Sequence, residues 1–233
     1  MKKKIINFKG IKFYNTSFEN ILSKLLKGGY LVAPAASALS KIDKNLDYYN
    51  SLKKADVAIL DSGFFCILLR FFKNHKVTKL SGYLFLKKFL NLSFDKNDKF
   101  LLIDPNRLDS KYNRIYLNRK KIFNIISYVA PKYKKIHDPK LIKLIDKFKP
   151  KFILINLGGE IQEILALHIK EKTKFKITIF CTGAAIAFLT KRQAPINDFI
   201  DKIYLGWFIR LLHNPKKYIK RVVSSFKLIK FFY

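Results

Sequence analysis

Short apolar runs that end in turn chemistry recur along this chain, and they constrain its fold more than any other feature. Residues 30–33 follow Gly28-Gly29, residues 57–60 stop at Asp61, and residues 100–103 stop at Asp104-Pro105. Residues 152–157 stop at Gly158-Gly159, and residues 177–181 run to Gly183. Runs this short and this apolar suit strands buried on both faces. Helical patterns separate them: 64–72 behind Ser62-Gly63, 139–148 with Pro139 at its start, and 161–170 behind the diglycine. Residues 121–128 are a further strand candidate, and the polar stretch 104–119 is expected to be a long loop. Strands alternating with helices predict an α/β fold, a Rossmann-like, mostly parallel sheet with helices on both faces. Ligands of such sheets bind beyond the carboxyl ends of the strands. Asp61-Ser62-Gly63, the diglycine segment and Thr182-Gly183-Ala184 are therefore expected to converge on one crevice.

The 233 residues fit one large domain with an appendage, divided as an α/β core over 1–202 and a basic amphipathic segment over 203–233. Of the 47 basic residues only seven are Arg, against 16 acidic ones, for a net charge of +31. Such a field attracts phosphates of nucleotides, nucleic acid or acidic lipid without choosing among them. After Asp201 there is no acidic residue. Leu205, Phe208, Leu211 and Leu212 give one apolar stripe, and Ile219, Val222, Val223, Phe226 and Ile229 give another. A helix of this kind lies on a membrane or packs on its own core with a solvated basic face. The ending Phe231-Phe232-Tyr233 favours the membrane. No uncharged stretch is long enough to span a bilayer, and no cleavable leader is evident. The expected location is the cytoplasm, peripheral on the inner face of the cell membrane.

Cys66 and Cys181 each sit in an apolar run and read as buried free thiols. The four histidines are dispersed, so neither a metal nor a cofactor is expected. Asp61, at a strand end before a glycine, is either a general base or a helix cap. Gly158-Gly159 offers close backbone approach and free N–H groups, but it is neither a dinucleotide fingerprint nor a Walker loop. Gln162 and Glu163 follow it in the first helical turn. Arg210, Lys217 and Lys220 share a helix face if the helix continues past Pro215, as a diphosphate clamp or a solvated face.

Together these segments resemble the WecG/TagA/CpsF family of bacterial glycosyltransferases, from about residue 20 to 223. Ala55-Asp56 with Asp61-Ser62-Gly63 is similar to one family motif, and residues 157–163 to a second. The third runs from Gly183 through Arg192-Gln193-Ala194-Pro195 to Gly206-Trp207, Arg210, Pro215, Lys217 and Lys220. The resemblance implies transfer of an N-acetylmannosamine-like sugar from a UDP-sugar to an undecaprenyl-diphosphate-linked acceptor. It makes Asp61 the candidate base. Lys79, Gly158, Gly159, Gln162, Glu163, Gly183, Arg192, Arg210, Lys217 and Lys220 become candidate substrate contacts, the last three on the diphosphate. The implied partners are the donor, the lipid-linked acceptor and an anionic membrane; a homo-oligomer stays open, and nucleic acid is the less favoured partner. The chain departs from the family pattern where Ala33 and Ala35 replace Thr and Asn, Glu160 replaces Pro, and Gly206 replaces Glu. A weakly active member serving as a partner in a polysaccharide-synthesis complex is the alternative.

Overall fold

The computed structural model describes residues 4–193, 211–212 and 214–233, with only the backbone of Lys217. Arg210, Gly206-Trp207 and Ala194-Pro195, all named above, lie outside the described residues. Among the described residues eight strands form one sheet: β1 (Ile5–Phe8), β2 (Ile11–Tyr14), β3 (Gly29–Val32), β4 (Val57–Ile59), β5 (Phe100–Asp104), β6 (Ile125–Val129), β7 (Phe152–Ile155) and β8 (Thr178–Cys181). Their order across the sheet is β1-β2-β4-β3-β8-β7-β5-β6. Only the β1–β2 hairpin is antiparallel. Its loop, Lys9-Gly10, holds both residues at positive φ, as a tight two-residue turn between twisted strands requires.

Side chains alternate between two faces, as the period of a strand dictates. Tyr30, Val32, Leu101, Ile103, Ile153, Ile155, Ile179 and Cys181 point into one core. It is covered by α2 (Ala36–Leu39), α3 (Leu46–Lys53), α4 (Gly63–Lys73), α7 (Pro139–Phe148) and α8 (Ile161–Lys172). Leu31, Phe100, Leu102, Phe152, Leu154 and Phe180 point into the other. There α1 (Phe18–Leu25), α5 (Gly82–Phe89), α6 (Arg107–Arg119) and α9 (Ala185–Leu189) cover it. Phe89, Phe94, Phe100, Phe152 and Phe180 interlock in that core, with Phe89 and Phe180 centroids 4.5 Å apart. Both cysteines are buried thiols outside any disulfide.

Two expectations are corrected. Residues 104–119 are not a loop: α6 occupies most of the stretch, capped by the Asn106 side chain on the Asp109 N–H. Its inward positions are Ser110, Asn113 and Leu117, two of them polar, so no apolar period announces it. Those polar groups are needed because Asp104, at the end of β5, is fully buried and accepts amide hydrogens from Asn113 and Asn156. The strand sought over 121–128 begins only at Ile125, after Lys121 takes a positive φ.

The C-terminal segment continues as α10 (Pro215–Phe226) and a 3-10 turn (Lys227–Phe231). Asn214, ahead of Pro215, is not helical, so the helical residues 211–212 do not run on into α10. α10 packs on α2, and the Ser40 and Ser224 hydroxyls stand 3.2 Å apart. The ending does not reach outward as a unit. Phe232 is 5% exposed and packs against Phe8, Phe65 and Phe72, while Leu228 is fully buried. Ile219, Val223 and Phe226 stay exposed. Among the described residues no helix is long and apolar enough to cross a membrane.

Phe232→Ala should cost about 3–5 kcal/mol of stability, as for other fully packed phenylalanines. Chemical denaturation in detergent-free buffer measures this; a midpoint equal to wild type would return the ending to the solvent.

Candidate functional site

The carboxyl ends of β4, β3, β8 and β7 stand side by side on one edge of the sheet. At the usual inter-strand spacing they span about 14 Å. Asp61 follows β4, Ala33 follows β3, Thr182-Gly183 follows β8, and Leu157-Gly158-Gly159 follows β7. The three expected segments thus share one edge.

Contacts run across that edge without interruption. Ser62, not Asp61, caps α4, through its hydroxyl on the Phe65 N–H. Asp61 reaches instead to α5, where its Oδ1 accepts the N–H of Gly82, the first residue of that helix, at 2.8 Å. The positive end of a helix suits a carboxylate there. Gly82 makes this approach close, because a Cβ would stand 3.2 Å from both the Ala33 Cβ and the Thr182 carbonyl oxygen and would press on them. Lys79 is half-buried between α4 and α5, and the next residue, Leu80, donates its N–H to the carbonyl of Leu60 beside Asp61.

From Gly183 the chain of contacts passes to α8. The Gln162 Oε1 accepts the Gly183 N–H at 2.9 Å, and its Nε2 donates to Glu163 Oε1 at 2.8 Å. Glu163 Oε2 accepts the Glu160 N–H at 2.7 Å. Gln162 and Glu163 are buried, so they act as a brace between the two loops. Burial pushes the Glu163 carboxyl up to about 7, opposed only partly by these hydrogen bonds. Glu160 in turn is held by Lys41 at 2.6 Å and Asn45 at 3.2 Å, neither foreseen from sequence. Its φ of +77° is one that a proline ring cannot adopt, so this loop takes a path closed to a proline-bearing one. Of the diglycine beside it, Gly158 faces open space, where a Cβ meets nothing within 4 Å, and a Cβ on Gly159 would touch the Ala38 Cβ at 3.8 Å.

Asp56, the other acid of the first block, lies at the opposite end of β4. It accepts the Tyr30 N–H and pairs with Lys170 at 2.7 Å, tying β3 to β4 and α8. Gly29 permits this, since a Cβ there would fall 2.3 Å from the Asp56 carboxylate. Arg192 rests against α6, its Nε 3.5 Å from Asp109 and its guanidinium 4.7 Å over the Tyr112 ring. Its neighbour Gln193 accepts the Tyr218 hydroxyl at 3.3 Å, which links this segment to α10. Lys217 and Lys220 lie three residues apart on α10, with Lys220 exposed. Among the described residues no three His, Cys, Asp or Glu side chains cluster as metal ligands would.

The chain belongs to the WecG/TagA/CpsF family of glycosyl transferases, whose family model matches residues 6–233. No curated protein matches it. The match takes in the β1–β2 hairpin and the C-terminal turn as well as the three blocks, and it makes the protein a glycosyltransferase of cell-wall polysaccharide synthesis.

The Glu163 brace carries a pH signature. A carboxyl raised in the fold to about 7 from 4.5 contributes stability that is complete below the unfolded value and lost as pH rises through 7. Glu163→Gln should therefore flatten part of the fall in melting temperature between pH 5 and pH 8. Burial lowers His168, which acts in the opposite sense in both proteins, so the difference between them reads Glu163. Parallel curves would show that Glu163 does not titrate there.

Proposed function

We propose that the protein transfers an N-acetylhexosamine-type sugar, N-acetylmannosamine-like, from a UDP-sugar to a polyprenyl-diphosphate-linked acceptor at the membrane surface. The observation that carries this is Asp61, a half-buried carboxylate fixed by the Gly82 N–H on the edge where Gly158 leaves open space. A carboxylate held by a helix N-terminal N–H is oriented, and orientation is most of what a general base needs.

In this reading Asp61 accepts the proton of the acceptor hydroxyl as that oxygen bonds to the anomeric carbon. The bond from that carbon to the diphosphate oxygen breaks, and its electron pair leaves with UDP. Cations near the leaving diphosphate stabilise the charge that develops on it. Lys79, Arg192, Arg210, Lys217 and Lys220 are the candidates for this. Gly158-Gly159 allows close approach of the donor to the backbone. Gln162 and Glu163 act by positioning, since both are committed to holding Gly183 and Glu160. The exposed apolar positions of α10 and its lysines suit contact with an anionic bilayer surface.

Purified protein, a panel of UDP-sugars and a lipid-diphosphate glycan test this reading. Asp61→Asn should lower kcat by roughly 10²–10⁴-fold with little change in KM for the donor. Full kcat in that variant would remove Asp61 as base.

A further inference from the structure

A cavity of about 420 Å³ lies where α10 and the 3-10 turn cross the turn after α2. Its walls carry Lys41 and Lys44 from one segment and Lys227 and Lys230 from another. Two carboxylates face these four ammonium groups. Lys41 pairs with Glu160 at 2.6 Å and Lys230 pairs with Asp43. Lys44 and Lys227 make no ion pair among the described residues. Four lysines against two carboxylates leave a surplus of two positive charges around one cavity. Like charges gathered this way repel one another, and a bound dianion reverses that cost. The Ser40 and Ser224 hydroxyls also line it, but Ser40 donates its one hydrogen to the Ser37 carbonyl at 2.9 Å and Ser224 stands 3.5 Å from the same carbonyl, so the ammonium groups are the donors for a phosphoryl oxygen.

The rim on one side is apolar. Phe226 lines the cavity and is 53% exposed, with Val223 and Ile219 exposed along the same face of α10. Phe226 meets Phe64 of α4 at 5.2 Å between ring centroids. From Phe64 the outer ridge of α4 continues through Ile67 to Phe71, which is 81% exposed. A free phosphate has no use for such a rail; a phosphate that carries a hydrocarbon chain does.

We infer that this cavity binds the phosphate or diphosphate headgroup of a lipid, whose chain leaves along Phe226, Val223 and the Phe71 ridge. Lys41 joins the cavity to the candidate site, because the same ammonium holds Glu160 next to Gly158-Gly159. A sugar carried on that headgroup would extend past the diglycine loop toward the sheet edge that bears Asp61. Identifying the lipid as the glycan acceptor rests on the proposed transferase reading; the lipid phosphate site itself does not.

The full chain is titrated by calorimetry with farnesyl diphosphate, inorganic diphosphate and UDP. Farnesyl diphosphate should bind at least about tenfold tighter than inorganic diphosphate, as burial of a few apolar groups provides. The double change Lys44→Ala with Lys227→Ala should weaken both diphosphates about tenfold or more, and Arg at both positions should restore them. Phe226→Ser should weaken farnesyl diphosphate alone, and UDP binding should be unchanged in all of these variants. Equal affinity for the two diphosphates would overturn the lipid assignment. Unaltered binding in the double Ala variant, or an equal loss of UDP, would overturn the site. Binding of farnesyl diphosphate without any UDP binding would keep the cavity and sink the transferase reading.

Discussion

The pairing of β3 with β8 is the constraint on which the rest of the structure depends. Strands β1 to β4 come from the first part of the chain and β5 to β8 from the second, and these two halves of the sheet meet only there. The register, Gly29 to Thr178 through Val32 to Cys181, sets Ala33 level with Thr182. Gly82 then seats the start of α5 against both of them. Asp61, from one half of the sheet, is thereby held at a fixed height relative to Gly183, from the other. A slip of one residue would reverse every side chain of β8 between the two cores and would break this alignment.

The strand ends were legible because turn chemistry marks them. Asp61, Gly158-Gly159 and Gly183 stand on the common edge that their positions after apolar runs imply. What escaped was set by polar burial. α6 carries Ser110 and Asn113 inward to serve the buried Asp104, so a hydrophobic period is absent where the helix is most firmly held. The partners of Glu160 escaped for a different reason: Lys41 and Asn45 are over a hundred residues away in sequence and carry no local pattern. Gln162 and Glu163 looked like ordinary first-turn residues or donor contacts. Their burial and their bonds to Gly183 and Glu160 show a brace between two loops, a role that only the assembled sheet reveals.

The departures from the family pattern have local physical consequences. Ala35 begins α2 without a side-chain cap, where an Asn would supply one, and α2 is only four residues long. Glu160, at positive φ, is a charged residue that Lys41 and Asn45 hold. The apolar Ala33 and Ala35 after β3 and the Lys41–Glu160 ion pair after β7 lie on the same edge.

The packing of α10 on α2 bears on how one C-terminal segment serves several ends. Within the last nineteen residues, Tyr218, Leu228 and Phe232 face inward, and the latter two fill the same core as α4 and α8. Ser224 and Lys227 face the cavity shared with α2. Ile219 and Val223 face outward beside Lys216, Lys220 and Arg221. The helix separates Tyr218, Ser224 and the Ile219–Val223 face through its 3.6-residue period, and the 3-10 turn that follows carries Leu228 and Phe232 inward. The consequence is that removing the segment to test membrane contact would also remove part of the core. Substitutions confined to Ile219 and Val223 probe the outer face alone, and they leave Phe232 among its aromatic neighbours.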